Sequence, residues 1–406
     1  MRNNRTVLRV MATVAVLALV AAACSKKSVT ATTPPSGPTS GGAKTEVDIA
    51  FFGALSGDYK LLVIHGFQAA QLAFDQANAA GDLPVKVVVV PEDTQGSGDQ
   101  ATPLVDKVVN DSKFVGVIGP AFSTESGAVG DRIDQAGLPF ITPSATDDAL
   151  STHGWTHWFR GVGDNSDEAK PAGQYIENVL KPNCTFVASD GSAYGKGLAS
   201  IVESNLAGDA ITPVKPEQDV QPAQKSYLDL VTKVKASGCT AFFYGGYSPE
   251  AGLIRKQLTG LNPPKPITIL GGDGIKDDTF LSTAGSAGEG TLSVCPCSDI
   301  ASSTDPVAQK FVSDYKAKYS TDPGIYAAEG WDIAQMYIAA MKAGKTNRQS
   351  ITDFITNLQG FHGLTKDYTF QPNGELFPTS RTMFVYQDKS GAWAYLGDAA
   401  TLVAGG

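Results

Sequence analysis

An α/β protein with two doubly wound parallel-sheet domains is what this sequence predicts, and three observations carry the prediction. Short Val/Ile/Phe-rich runs alternate with amphipathic stretches along most of the chain, as expected of parallel sheets covered by helices on both faces. The alternation pauses around residues 161–167 and then restarts with the same design. Once a leader and a tether are set aside, about 360 residues remain, more than one ordinary core accommodates.

The first domain opens with the strand VDIAFFG and a helix over Gly66 to Ala79. VKVVVV is the second strand, with a helix from Gln100 to Asn110 behind it. FVGVIG leads into a helix from Thr124 to Gln135, and LPFIT is the next strand. In the second domain TFVAS, AITPV, TAFFYG and ITILGG read as strands. Its helices are expected over Tyr194–Leu206, Ser226–Ala236 and Pro249–Leu258. After GTLSVCPC the pattern turns helical over Pro306–Tyr319, Tyr326–Ala343 and Ser350–Leu358. TFQPNGELF, RTMFVYQ and WAYLG are β-like. A helical block followed by strands implies that the chain returns to its earlier domains.

The first 45 residues specify an address. Arg2, Arg5 and Arg9 precede an apolar run from Val10 to Ala23, which is the layout of a secretory signal peptide. The run is too short for a membrane span of about 20 apolar residues. Ala21-Ala22-Ala23-Cys24 resembles the lipobox of bacterial lipoproteins, with Ala21 where a large aliphatic residue is usual. Residues 1–23 are therefore expected to be removed and Cys24 to carry lipid, each buried methylene adding about 0.8 kcal/mol of anchoring. Residues 25–45 are rich in Ser, Thr, Pro and Gly and read as a flexible tether. The expected location is extracytoplasmic, on the outer face of the cell membrane.

The leader's three arginines and lack of acids leave the rest of the chain more acidic than the overall −9. No Lys/Arg block is present, which argues against nucleic acid as a partner. Of five cysteines, Cys24 is reserved for lipid. Cys184 and Cys239 each begin a β-like run, and parallel neighbours would set them side by side. A disulfide between them is expected, compatible with export and contributing roughly 4 kcal/mol. Cys295-Pro296-Cys297 either bridges itself or stays reduced.

Ligands of open parallel sheets bind at the carboxyl ends of strands, so the residues following each strand are the candidates. They include Phe122, Ser123 and Thr124 after FVGVIG, and Ser144, Ala145 and Thr146 after LPFIT. The second domain offers Asp190 to Gly195 with Tyr194, then Tyr247, then Asp273. Hydroxyls, helix starts, tyrosines and one carboxylate suit a small zwitterion. Its carboxylate would meet Ser123 and free N–H groups; its ammonium would meet Asp273 and the Thr146 hydroxyl. Taken singly, each residue also fits a cap, a turn or a packing role.

The segments IAFFGALSGD, VGVIGPAFSTES, PFITPSATDDAL, DGSAYGKGLA, FFYGGYSPEAG, LGGDGIKDD, AGEGTLSVCP and YAAEGWDIAQMYIAAM span nearly the whole mature part. Together they resemble the type I periplasmic binding proteins, specifically the leucine/isoleucine/valine-binding branch that feeds ABC importers. The resemblance implies two lobes joined by three hinge strands and closing on a ligand. It implies lobes of residues 46–164 plus about 298–370, and 165–297 plus about 371–406. It places ligand contacts on Ser123, on Ser144-Ala145-Thr146, on Tyr194 and Tyr247, and on Asp273 for the ammonium. Two departures stand out: the loop after Ser56-Gly57 is about three residues short, and Phe122 replaces a cysteine found in some relatives. Phe122, Tyr194, Tyr247 and Tyr326 point to an apolar or aromatic side chain on the ligand.

The expected function is capture of an amino acid, branched-chain or otherwise apolar, and delivery to an ABC permease by a lipid-anchored monomer. The alternatives are a sensing domain of the same fold, or a binder of an amide, urea or aromatic acid. No cofactor, metal or catalytic residue is expected. His153 and His157 flank Gly154 in a loop-like segment, and no nucleophile elbow, HExxH or Walker motif is present. A hydrolase using Ser123 lacks an evident general base.

Overall fold

A computed structural model describes residues 44–208, 213–214, 216 and 219–405. The leader, Cys24 and nearly all of the tether lie outside these residues, as does part of the AITPV segment.

Five strands form the first sheet: β1 (Glu46–Gly53), β2 (Lys86–Asp93), β3 (Phe114–Ile118), β4 (Phe140–Thr142) and β5 (Trp158–Arg160). They run parallel in the order β2-β1-β3-β4-β5. Connections are α1 (Ile64–Ala80), α2 (Gly98–Asn110) and α3 (Ser123–Gln135). Ile49, Phe51, Val117 and Ile141 are fully buried, which accounts for the uninterrupted apolar runs of these strands.

The second half begins with α4 (Asn165–Tyr175), followed by β6 (Thr185–Ser189), α5 (Ala193–Gly208), β7 (Pro213–Val214) and α6 (Leu228–Ser237). Then come β8 (Ala241–Gly245), α7 (Ser248–Gly260), β9 (Thr268–Gly271), α8 (Asp278–Ala284) and β10 (Leu292–Cys295). The chain continues through α9 (Pro306–Tyr319), α10 (Ala327–Lys342), α11 (Arg348–Thr356) and a small hairpin, β11 (Phe361–His362) with β12 (Asp367–Tyr368). It ends in β13 (Phe384–Lys389), β14 (Ala392–Asp398) and α12 (Ala399–Gly405). The second sheet has the order β14-β13-β10-β9-β8-β6-β7. Its β6-to-β10 part is parallel, and β13 and β14 add an antiparallel edge.

The chain passes between the two sheets three times: between β5 and α4, after β10, and between β12 and β13. The helical block belongs with the first sheet, because α10 packs along α1. The Tyr337 hydroxyl of α10 lies 2.9 Å from the carbonyl of Val117 on β3.

β6 and β8 pair with Thr185 opposite Ala241, so Cys184 and Cys239 are neighbours across the sheet. Their Cα atoms are 4.7 Å apart and their sulfurs stand at bonding distance, within the reach of a disulfide. The sulfurs of Cys295 and Cys297 are likewise at bonding distance, in the second passage between sheets.

Three expectations need correction. TFQPNGELF forms no extended strand beyond an isolated bridge between Phe370 and Leu376. Asn373-Gly374 folds it into a turn, with Gly374 N donating to Gln371 O at 2.9 Å. The pause at 161–167 hides the start of α4, whose N-cap Asp164 accepts from Asp167 N at 2.9 Å. The segment around His153 and His157 leads into the unpredicted strand β5, with His157 Nδ1 held 2.9 Å from Asp134.

Candidate ligand-binding site

Loops at the carboxyl ends of strands from both sheets converge on one cavity. The first half contributes Leu62, Val63, Ala121, Phe122, Ser123 and Ser144. The second contributes Tyr194, Tyr247, Asp273 and Gly274, and the helical block contributes Tyr326. The space is about 300 Å³ including the part open to solvent, at the lower end for small-molecule sites.

Ser123 is the first residue of α3 and is nearly buried, at 3% exposure. Its Oγ accepts from Asp147 N at 3.1 Å, so its own hydrogen is free for a guest. The first N–H groups of α3 have no partners within the helix and favour an anion there. Glu125 turns back to accept from Phe122 N at 3.2 Å and from the Thr94 hydroxyl. Burial pushes the Glu125 carboxyl up to about 7. Ser144 is committed differently, donating its hydroxyl hydrogen to Ala121 O at 2.7 Å.

Asp273 stands opposite, in a short turn after β9. Its Oδ2 accepts from the Tyr326 hydroxyl, while Oδ1 has no donor. Its backbone N–H donates to Glu168 Oε1 at 2.7 Å. The next N–H, of Gly274, donates to the Tyr194 hydroxyl oxygen at 3.0 Å. A Cβ at Gly274 would sit 2.6 Å from Gly246 O and 2.8 Å from the Tyr194 ring, so this close approach requires glycine. Burial raises the Asp273 carboxyl above its ordinary range.

Tyr247 lies between the two polar ends. Its ring stacks on Tyr194 with centroids 5.3 Å apart and planes at 27°. It meets Phe122 edge-on at 5.2 Å and Tyr59 at 5.3 Å, geometries that aromatic pairs favour. The cavity is thus polar at Ser123 and Asp273 and apolar between them.

Phe122, Ser123, Ser144, Tyr194, Tyr247, Asp273 and Tyr326 were all legible from the sequence and all reach the wall. Ala145 and Thr146, next in the chain after Ser144, are buried and are not among the lining residues. Their turn is held by Arg160, which is fully buried and donates to Ala145 O at 3.0 Å and Asp147 O at 2.9 Å. Thr146 O accepts from Asn165 N at 2.7 Å, and its Oγ1 is buried without a partner. Arg160 is itself neutralised by Glu375, with Nε 3.0 Å from Oε2. Sequence reading missed Arg160, Glu375, Tyr59 and Glu168. For Glu168 a signal existed: the Asp164 cap starts a helix whose buried face carries Asn165, Glu168, Ala169 and Ala172.

A family profile described as periplasmic binding protein matches residues 46–392. This chain belongs to the periplasmic binding protein family. It is 29% identical over 317 residues to the Leu/Ile/Val-binding protein BraC3 of Rhizobium johnstonii, covering 75% of this chain and 85% of that one. It is 28% identical over 312 residues to the leucine-, isoleucine-, valine-, threonine- and alanine-binding protein of Pseudomonas aeruginosa, covering 76% and 81%. Among solved structures, the branched-chain amino acid transporter substrate-binding protein LivJ of Streptococcus pneumoniae, in complex with isoleucine, superposes with a TM-score of 0.77. The identity there is 27%, over 87% of this chain and all of that one. These relatives agree with the resemblance read from the strand-end segments. As in other members of this family, the fold is two parallel-sheet α/β halves with the cavity between them. No helix among the described residues is long and apolar enough to cross a membrane.

Proposed function

We propose that this chain is an extracytoplasmic substrate-binding lipoprotein that captures an amino acid, branched-chain or otherwise apolar, and delivers it to an ABC permease. The observation carrying this reading is the pairing of Ser123 at a helix start with Asp273 across one small aromatic-walled cavity. An α-carboxylate meets the Ser123 hydroxyl and the N–H groups of α3. An α-ammonium meets the free Oδ1 of Asp273. The side chain packs against Phe122 and Tyr247, and the relatives' names point to the same ligand class.

In this reading residues 46–164 plus about 298–370 form one closing lobe, and 165–297 plus about 371–406 the other. Closure is stabilised by contacts the ligand makes with both halves at once. Residues 1–23 serve as the signal peptide, Cys24 as the lipid anchor, and Cys184–Cys239 as a disulfide formed after export. The protein works as a non-catalytic monomer.

A thermal-shift screen tests the ligand class, because a ligand selective for the native state raises the melting temperature. L-leucine, L-isoleucine and L-valine are expected to stabilise the protein. Stabilisation by short amides, urea or aromatic acids and by no amino acid would replace this reading.

A further inference from the structure

Glu168 is fully buried on α4, out of the cavity wall, directly behind Asp273. Its Oε1 accepts from Asp273 N at 2.7 Å, so the Glu168 carboxyl is in direct contact with the Asp273 residue. Glu168 Oε2 and Asp273 Oδ1 are both buried acceptors without a donor. Two carboxylates in this position leave both acceptors unsatisfied and repel each other; one proton between them removes both penalties.

The surroundings supply hydroxyl donors to Asp273 but no cation. The turn after β9 contributes only Asp273, α5 contributes the Tyr194 hydroxyl, and the residue before α10 contributes the Tyr326 hydroxyl with Glu329 behind it. On β10 the Ser293 hydroxyl is spent on Gly272 O at 2.9 Å. α12, packed on α4, carries no titratable side chain. Among the described residues no lysine, arginine or histidine acts on Glu168. Burial, and after it the Asp273 charge, holds the Glu168 carboxyl well above its usual range.

We propose that Glu168 and Asp273 form an acid pair that holds one proton in the free protein and releases it to solvent when a ligand's ammonium docks on Asp273. Glu168 is then a positioning residue that sets the charge Asp273 presents. The ammonium brings the positive charge that the proton had supplied, so the pair exchanges one for the other. The inference rests on the amino-acid reading above for the identity of the cation; the pair itself does not.

The test is calorimetric titration of the intact protein with L-leucine near pH 7, in buffers of different ionisation enthalpy. Binding is expected to release close to one proton per ligand, and Glu168→Gln is expected to bind with almost none released. Wild-type affinity should fall about tenfold per pH unit on the acid side of the pair's titration, and the variant should lose that slope. Tight binding without proton release, or equal release from Glu168→Gln, overturns the acid pair and leaves the amino-acid reading standing. Absence of L-leucine binding strikes that reading instead. Carboxyl-carbon NMR of the ligand-free wild type then decides on the pair. A Glu168 resonance titrating well above ordinary glutamates supports it, and one titrating with them overturns it.

Discussion

Tyr326 donates its hydroxyl hydrogen to Asp273, and this hydrogen bond joins the helical block beside the first sheet to the strand ends of the second. Both residues are nearly buried, at 4% and 5% exposure. Tyr326 holds its position with a left-handed backbone, φ 60°, an expensive conformation for a tyrosine. The contact therefore orients the Asp273 carboxylate at the cavity wall.

Tyr326→Phe is expected to leave Asp273 short of one donor. A hydrogen bond to a charged group contributes about 1.5–3 kcal/mol, so affinity for the bound amino acid should fall roughly 10- to 100-fold. Calorimetric titration reads this, with circular dichroism expected to show an unchanged fold.

Tyr247 separates the polar ends of the cavity by packing on Tyr194, Phe122 and Tyr59. Its hydroxyl plays no part in that packing. Tyr247→Phe should bind like the wild type, whereas Tyr247→Ala should lose roughly 3 kcal/mol of affinity for an apolar amino acid, about a hundredfold. Comparing the two by titration separates the ring from its hydroxyl.

The turn carrying Ser144 and Thr146 depends on Arg160, and Arg160 depends on Glu375. Removing one partner of a buried ion pair costs about 3–5 kcal/mol. Glu375→Ala should therefore lower the unfolding free energy by about that amount in a denaturant titration with unchanged m value. Ligand affinity should fall as well, since the turn would lose its anchor.

Glu125 gives a pH prediction whose sign is fixed. Its folded-state pKa is raised from 4.5 to about 7, first by burial. The native state thus holds a proton that the unfolded chain has released. The stability this contributes is fully present below about pH 4.5 and is lost as pH rises through about 7. Glu125→Gln removes that slope. Relative to the wild type, the variant should be more stable at pH 8 than at pH 5 by roughly 3 kcal/mol, measured by urea unfolding at both values.

The strand-and-helix rhythm was readable because buried parallel strands are apolar on both faces, as Phe51, Val117 and Phe243 are. The wall of the cavity was readable because strand-end position alone selects Ser123, Tyr194, Tyr247 and Asp273. What escaped was long-range. Glu168 lies 105 residues from its partner Asp273, and Glu375 lies 215 from Arg160. No local periodicity marks such pairs. Arg160, which anchors the turn through Ala145 O and Asp147 O, escaped for the same reason. β13 and β14 were recognised as strands, but their antiparallel return to the second sheet depends on partners on β10.

The most direct test of the central claim compares L-leucine with its two amputated analogues on the wild-type protein by calorimetry. 4-Methylpentanoate lacks the ammonium and 3-methylbutylamine lacks the carboxylate. If Ser123 and Asp273 hold opposite charges of one guest, L-leucine binds and each analogue loses about a hundredfold or more, since each forfeits one of two buried charged contacts, worth about 2–5 kcal/mol or above. An analogue that binds as tightly as L-leucine would contradict the account.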